Sequence, residues 1–468
     1  MHPRPRPATV PPPVPFVAHV AGGLAWLALA TLVAGALALG GCGRSGTPDD
    51  QRVVIRYWEK WTGAEGEAMR AVVDDFNRGQ NRIFVEYSTV SQLERKLMLA
   101  ISGGVPPDVA GIYSNQVAVY AESNALTPLD RFAAQSGVRR EQYIDKFWEL
   151  CNYRDHLWAL PATPAANALV WNKKLFRAAG LDPEKPPRTL AELETYNDRL
   201  TRRGADGRLE LVGHVPAEPG WYSAEWGWWF GGQHWDGKAT ITADSPENVA
   251  AFEWVASYPR RFGANDLLAF RSGFGNFASP QNPFFTGRVA MVLQGPWIYS
   301  FIKNYAAPDF EWGVAPFPSA LGDALPGVTM LEADLLVVPV GATHSAEGFE
   351  FIRYVNSQRP MEKLCLGQRK FTPLRECSPE FFRDHPNPYI GTFLELAKSP
   401  NAHFCPQLTT WNIYNNEMGQ AFDRVWAGRA TPREALGAVQ WREQRAFDRR
   451  RERWERLAPE RLAEWSKP

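Results

Sequence analysis

The stretch VVIRYWEKWTGAEGEAMRAVVDDFNRGQNRIFVEYS, Val53 to Ser88, reads as strand, helix, strand. Val53 to Trp58 alternates as a buried strand does, Met69, Val72, Val73 and Phe76 then recur at helical spacing, and Arg82 to Ser88 returns to strand character. Thr62 and Glu65 have the spacing of a capping box ahead of the helix, which gives Glu65 a capping role rather than a binding one. Outward from this unit, Gln92 to Ser102 predicts a second helix, Gly103 to Pro107 ends it, and Asp108 to Ile112 is the next short buried strand. Alternating β and α elements predict an α/β fold with a parallel, helix-covered sheet. Ligands in such sheets sit beyond the carboxyl ends of the strands. That rule puts Glu59 to Thr62 and Tyr113 to Gln116 on one rim.

Further along, Leu160-Pro161-Ala162-Thr163-Pro164 predicts a crossing between lobes, because prolines stiffen a strand that leaves one sheet for another. Asn172 to Ala179 and Leu190 to Arg202 predict helices. The aromatic segment Trp221 to Trp235 fits neither the helix nor the strand period and is expected to form a shaped surface. Gly287 to Leu293 predicts a strand, and Gly295-Pro296-Trp297 opens the helix after it. Leu335 to Pro339 predicts another strand, followed by a helix capped by Ser345 with Phe349, Ile352 and Val355 on one face. Thr431-Pro432-Arg433-Glu434 is a capping box starting a helix that runs into an Arg/Glu-rich tail to about Arg456. Opposite charges interleave there as on a solvated helix.

The 468 residues carry 51 basic and 51 acidic side chains and are 45% apolar. Zero net charge argues against a nucleic-acid binder, and the length predicts two lobes. The 19 tryptophans divide between core packing and an aromatic-lined ligand site.

At the N-terminus, Arg4 and Arg6 precede an apolar run, Ala21 to Gly41, that reads as an export signal. Leu39-Gly40-Gly41-Cys42 resembles the lipobox of bacterial lipoproteins, which implies cleavage before Cys42, lipidation of Cys42, and a polar tether over 42–52. Cys151, Cys365, Cys377 and Cys405 would then form zero, one or two disulfides in an oxidising compartment.

Catalytic patterns are scarce. The sequence has no HxH, HExxH, CxxC, GxSxG or Walker pattern, so neither a metal nor a cofactor is expected. Two carboxylates alone suffice for glycoside hydrolysis, so a secreted glycosidase-like enzyme using Glu332 or Glu59 is the alternative.

Val54 to Asn77, Pro107-Asp108, Trp171-Asn172-Lys173 with Ala179-Gly180-Leu181, Phe285 to Met291 with Gly295-Pro296-Trp297, Trp312 to Pro316, and Gly428 to Leu436 occur in an order that resembles the family 1 extracellular solute-binding proteins. These are the maltose-binding-protein-like sugar receptors of ABC importers. The resemblance implies a periplasmic-binding-protein type II fold with two discontinuous lobes joined by hinge strands. Lobe one would be 53–163 plus 336–394, and lobe two 164–335 plus 395–468. It further implies a non-catalytic, extracytoplasmic, lipid-anchored monomer with a sugar ligand and an ABC permease as partners.

A sugar offers apolar C–H faces and a rim of hydroxyls, so its site needs aromatic platforms beside carboxylates or amides. By the resemblance Trp297 is the leading stacking residue, Trp221 a second, and Trp411 lies near a third stacking position. Asn115 and Gln116 fall where the family's maltose binders carry charged ligand residues, and Tyr113 lies beside the position of their aromatic. Asn115 and Gln116 keep hydrogen-bonding capacity without charge, which implies a neutral ligand, and Ala165 stands where another acidic ligand residue would be. Trp58, Glu59, Trp61 and Thr62 complete the rim of the first strand, and Glu59, Glu332 and Asp334 are the candidate carboxylates. An amino-sugar or glycerol-phosphate ligand is a further alternative.

Overall fold

A computed structural model describes residues 52–275 and 278–465. The signal segment 1–41, Cys42 and nearly all of the tether lie outside them. The opening unit is strand, helix, strand: β1 (Val53–Glu59) and β2 (Ile83–Thr89) pair in parallel around the helix Gly63–Gly79, whose Met69, Val72, Val73 and Phe76 are buried. β3 (Val109–Tyr113) pairs in parallel with β1 on its other side.

A small hairpin, β4 (Asn152–Tyr153) and β5 (His156–Leu157), precedes the crossing. β6 (Leu160–Ala166) lies in the first sheet and, one residue later, β7 (Ala168–Asn172) lies in a second. The second sheet is completed by β8 (Arg202–Arg203), β9 (Leu209–His214), β10 (Val289–Gln294) and β11 (Trp312–Ala315), in the order β11-β7-β10-β9-β8. The chain returns through β12 (Thr329–Val337), and β13 (Ala402–Phe404) ends the first sheet, whose order is β13-β12-β3-β1-β2 with β6 also on β12. β6 and β12 are therefore the hinge strands. Their crossing is pinned where Thr329 Oγ1 accepts from Asn167 N and donates to Asn167 O, both at 2.8 Å.

β12 spans the 335/336 boundary expected between lobes, and β13 pairs within the first sheet although it follows the boundary at 394/395. β12 also begins well before the expected strand at Leu335, so Glu332 and Asp334 are strand residues on one face rather than loop charges.

Three local expectations fail for identifiable reasons. Thr62 occupies the N-cap position but its side chain makes no capping bond, and Glu65, which would complete the box from the other side, pairs instead with Lys370 (Nζ–Oε1 3.2 Å). His344 rather than Ser345 is the N-cap of Ser345–Val355, while Ser345 Oγ donates to the Ala342 carbonyl at 3.2 Å. Within the aromatic segment, Glu225–Phe230 forms a 3₁₀ turn that puts Trp226, Trp228 and Trp229 into the core, each at most 1% exposed. The capping box at Thr431 does form: Glu434 N donates to Thr431 Oγ1 at 3.3 Å and Thr431 N to Glu434 Oε2 at 3.0 Å. The helix it starts, Pro432–Trp465, outruns the expected end. Cys151, Cys365, Cys377 and Cys405 are free thiols. No helix among the described residues is long and apolar enough to cross a membrane.

Candidate functional site

A cleft of about 640 Å³ opens where the two hinge strands pass between the sheets. The end of β1 supplies Trp61 and Thr62, the end of β3 supplies Tyr113 and Asn115, and β12 supplies Glu332 and Asp334. Facing them stand Trp221 and the helix Ile298–Tyr305 with Trp297 at its N-cap.

The Gly-Pro-Trp turn shows how local sequence builds the site. A Cβ on Gly295 would lie 2.5 Å from the Trp297 ring, so only glycine lets the indole fold back over the turn. Trp297 Nε1 then donates to Gln294 Oε1 at 2.9 Å, fixing the ring. Its centroid is 6.3 Å from that of Trp221, with the planes 56° apart. Ser300, Phe301, Asn304 and Tyr305 follow Trp297 at spacings of three and four, so one helix face lines the cleft. Trp221 and Tyr113 are 46% and 48% exposed, which leaves both rings accessible to a ligand.

Of the expected ligand residues, Trp61, Thr62, Tyr113, Asn115, Trp221, Trp297, Glu332 and Asp334 meet in this cleft. Trp58, Glu59, Gln116 and Trp411 are not on its lining. Trp58 lies on the opposite face of β1 from Ile55, Tyr57 and Glu59, as strand alternation requires. Gln116 Oε1 accepts from Tyr113 N at 3.2 Å and so shapes the end of β3. Trp411 is 1% exposed and stacks on Tyr414, with centroids 5.4 Å apart. Glu59 is fully buried, and a Cβ on Gly111 would sit 1.9 Å from its carboxylate, so that glycine on β3 makes its room.

Glu59 belongs to a charge network under the cleft floor. Tyr57 OH donates to Glu59 Oε2 at 2.7 Å, Lys60 Nζ lies 3.1 Å from Glu59 Oε1 and 2.8 Å from Asp334 Oδ1, and Lys370 Nζ lies 3.5 Å from Asp334 Oδ2. Thr163 Oγ1, from β6, also donates to Asp334 Oδ2 at 3.1 Å. Burial works to raise the Asp334 pKa, yet Lys60 and Lys370 outweigh it and hold this carboxyl below its ordinary value. Glu332, one pleat away on the same face, is pushed up to about 7 by burial and then by the charge of Asp334, against the weaker pull of Lys370.

Sequence reading missed Lys370 and the helix face 300–305. The helix face had a signal, its spacing from Trp297. Lys370 had none, because its partners Glu65 and Asp334 come from distant segments. No cluster of His, Cys, Asp and Glu suited to a metal ion occurs among the described residues.

A family model described as bacterial extracellular solute-binding protein matches residues 60–362. Among curated relatives, the sn-glycerol-3-phosphate-binding periplasmic protein UgpB of Pectobacterium atrosepticum is 22% identical over 412 residues, covering 82% of this chain and 89% of the relative. Among solved structures, CpMnBP1 with mannotriose bound superposes with a TM-score of 0.72 at 24% identity, over 83% of this chain and 99% of the other. UgpB from Mycobacterium tuberculosis in complex with glycerophosphocholine gives 0.68 at 20% identity, over 85% and 98%. Likeness at that identity establishes the type II two-lobed fold.

Proposed function

The chain belongs to the bacterial extracellular solute-binding protein family, and on that premise we propose that it captures a mono- or oligosaccharide or polyol and delivers it to the permease of an ABC importer. The observation that carries this reading is the pairing of accessible aromatic rings (Tyr113, Trp221, Trp297) with carboxylate, amide and hydroxyl groups around one cleft. Such a lining matches a ligand with apolar faces and a hydroxyl rim. Binding closes the lobes about β6 and β12 as a hinge. Lipidation at Cys42 holds the receptor at the outer face of a membrane as a monomer, and the ligand leaves chemically unchanged. Hydrolysis by Glu59 has no support, since that carboxyl is sealed beneath the floor.

The test is titration of the purified receptor with a broad sugar panel, read by tryptophan fluorescence and small-angle scattering. A bound sugar shifts the emission of Trp221 and Trp297 and compacts the particle. If no sugar produces either response while another solute class binds tightly, the reading is wrong.

A second reading, a glycerol-phosphate-type solute, is favoured by one feature: Arg369 lines the cleft. A glycerophosphodiester arm in the same titration distinguishes the two.

A further inference from the structure

The hinge end of the cleft holds two carboxyls, Glu332 and Glu225, for which the salt bridges among the described residues supply no cation. Glu332 faces the cleft on β12, and Glu225, 2% exposed, lies in the adjoining 3₁₀ turn close enough for the two carboxyls to act on each other. Glu225 Oε2 has no hydrogen-bond partner among the described residues, and neither has Oδ1 or Nδ2 of Asn167, which is 1% exposed at the crossing between β6 and β7. Thr163 and Ala165 on β6 line the cleft and Ala165 pairs with Glu332, while Asn167 follows just past the end of the strand.

The titratable groups facing this pair are Asp334 and Lys370 from one side and Tyr222, Cys405 and Tyr414 from the other. Lys370 is the cation of that set, and it is already shared between Glu65 and Asp334. Arg369, the other cation on the cleft lining, donates to the Gly367 carbonyl at 2.8 Å. Buried acceptors without donors are costly unless something completes them. An ammonium group brings three donors and one positive charge.

We propose that the captured solute carries a protonated amine, seated at the hinge end of the cleft against Glu332, with Glu225 Oε2 and Asn167 Oδ1 as the further acceptors. The solute class is an amino sugar or aminated oligosaccharide, a refinement that rests on the sugar-receptor reading. Trp221 and Trp297 hold the ring faces while the carboxyls hold the amine. Burial, together with the charge of Glu332, pushes Glu225 up to about 8, in keeping with a carboxyl pair that lacks a cation until ligand arrives. Amine binding at pH 7 therefore releases protons from the pair.

The experiment compares glucosamine, N-acetylglucosamine and glucose, and the glucosamine dimer against cellobiose, by calorimetry at pH 7 in buffers of different ionisation enthalpy. The amine forms bind about tenfold tighter or more than their neutral parents and release protons. The variant E332Q collapses that preference to within about threefold. If E332Q does not fold, E225Q is read the same way. Neutral sugars binding as tightly as amines, or an amine preference that survives E332Q, overturns the amine site but leaves the sugar reading standing. Glutamate-dependent binding of glycerophosphoethanolamine with no sugar bound leaves the amine site and removes the sugar reading. Silence from every probe overturns both.

Discussion

Asp334 and Glu332 stand two residues apart on one face of β12, both on the cleft lining, yet their environments move them in opposite directions. Asp334 is embraced by Lys60, Lys370 and Thr163 and held below its ordinary pKa. Glu332 has no ion-pair partner among the described residues and rises to about 7. The first is a fixed part of the lobe. The second is a group whose charge state a ligand can decide. One strand thus carries a structural carboxylate and a binding carboxyl, and the difference lies in which neighbours reach each one.

The largest expected effect comes from removing the cation that holds the first. Lys60 is almost wholly withdrawn from solvent between Glu59 and Asp334. Lys60→Met leaves two buried carboxyls without their shared partner, and breaking such a pair costs about 3–5 kcal/mol. Urea unfolding at neutral pH measures it. A loss under about 1 kcal/mol, the range of exposed ion pairs, would mean that Asp334 is as solvated as Glu332 and that the contrast fails.

The tryptophans repeat the contrast between scaffold and site. Trp228 is 1% exposed and stacks on His403 at 5.2 Å and 9°, whereas Trp221 and Trp297 border the cleft. Trp228→Ala is expected to cost about 3–5 kcal/mol of stability. Trp297→Ala spares most of the stability but weakens ligand about 30-fold, about 2 kcal/mol. Fluorescence titration and thermal melts on both variants check the pair, and equal effects on folding would erase the distinction.

Periodicity and punctuation made much of this legible beforehand. The β1 unit, β3, the Pro161/Pro164 crossing and the Gly-Pro-Trp turn are all local patterns, and a strand or turn that is specified locally can be read locally. Trp226, Trp228 and Trp229 were misjudged because an irregular aromatic run looks the same whether it faces solvent or core; the 3₁₀ turn that buries them has no period to recognise. Glu59 looked like a ligand carboxylate from its position at a strand end. Its actual role depends on Tyr57, Gly111, Lys60 and Asp334 meeting in three dimensions. Glu65 was read from its neighbour Thr62, but Lys370, from the far end of the chain's order, captured it.

The smallest effect tests Glu332 itself, through pH. Its folded-state value of about 7 lies above the ordinary carboxyl value of 4.5. The folded chain therefore keeps this proton where the unfolded chain has lost it, so the stability it contributes is full below about 4.5 and is lost as pH rises through about 7. Asp334 works in the opposite sense: its contribution is present above its ordinary value and lost as acid protonates it. Glu332→Gln cannot titrate, so in unligated protein the variant should gain about 1 kcal/mol on the parent between about pH 5 and 8, allowing for partial solvation of the carboxyl. Because the charge of Glu332 also raises Glu225, the variant relieves both carboxyls, and the difference between the two unfolding curves reports Glu332 together with its effect on Glu225. Parallel curves across that window would mean Glu332 is already ionised and compensated in the empty cleft, which would make it a second Asp334 rather than its opposite.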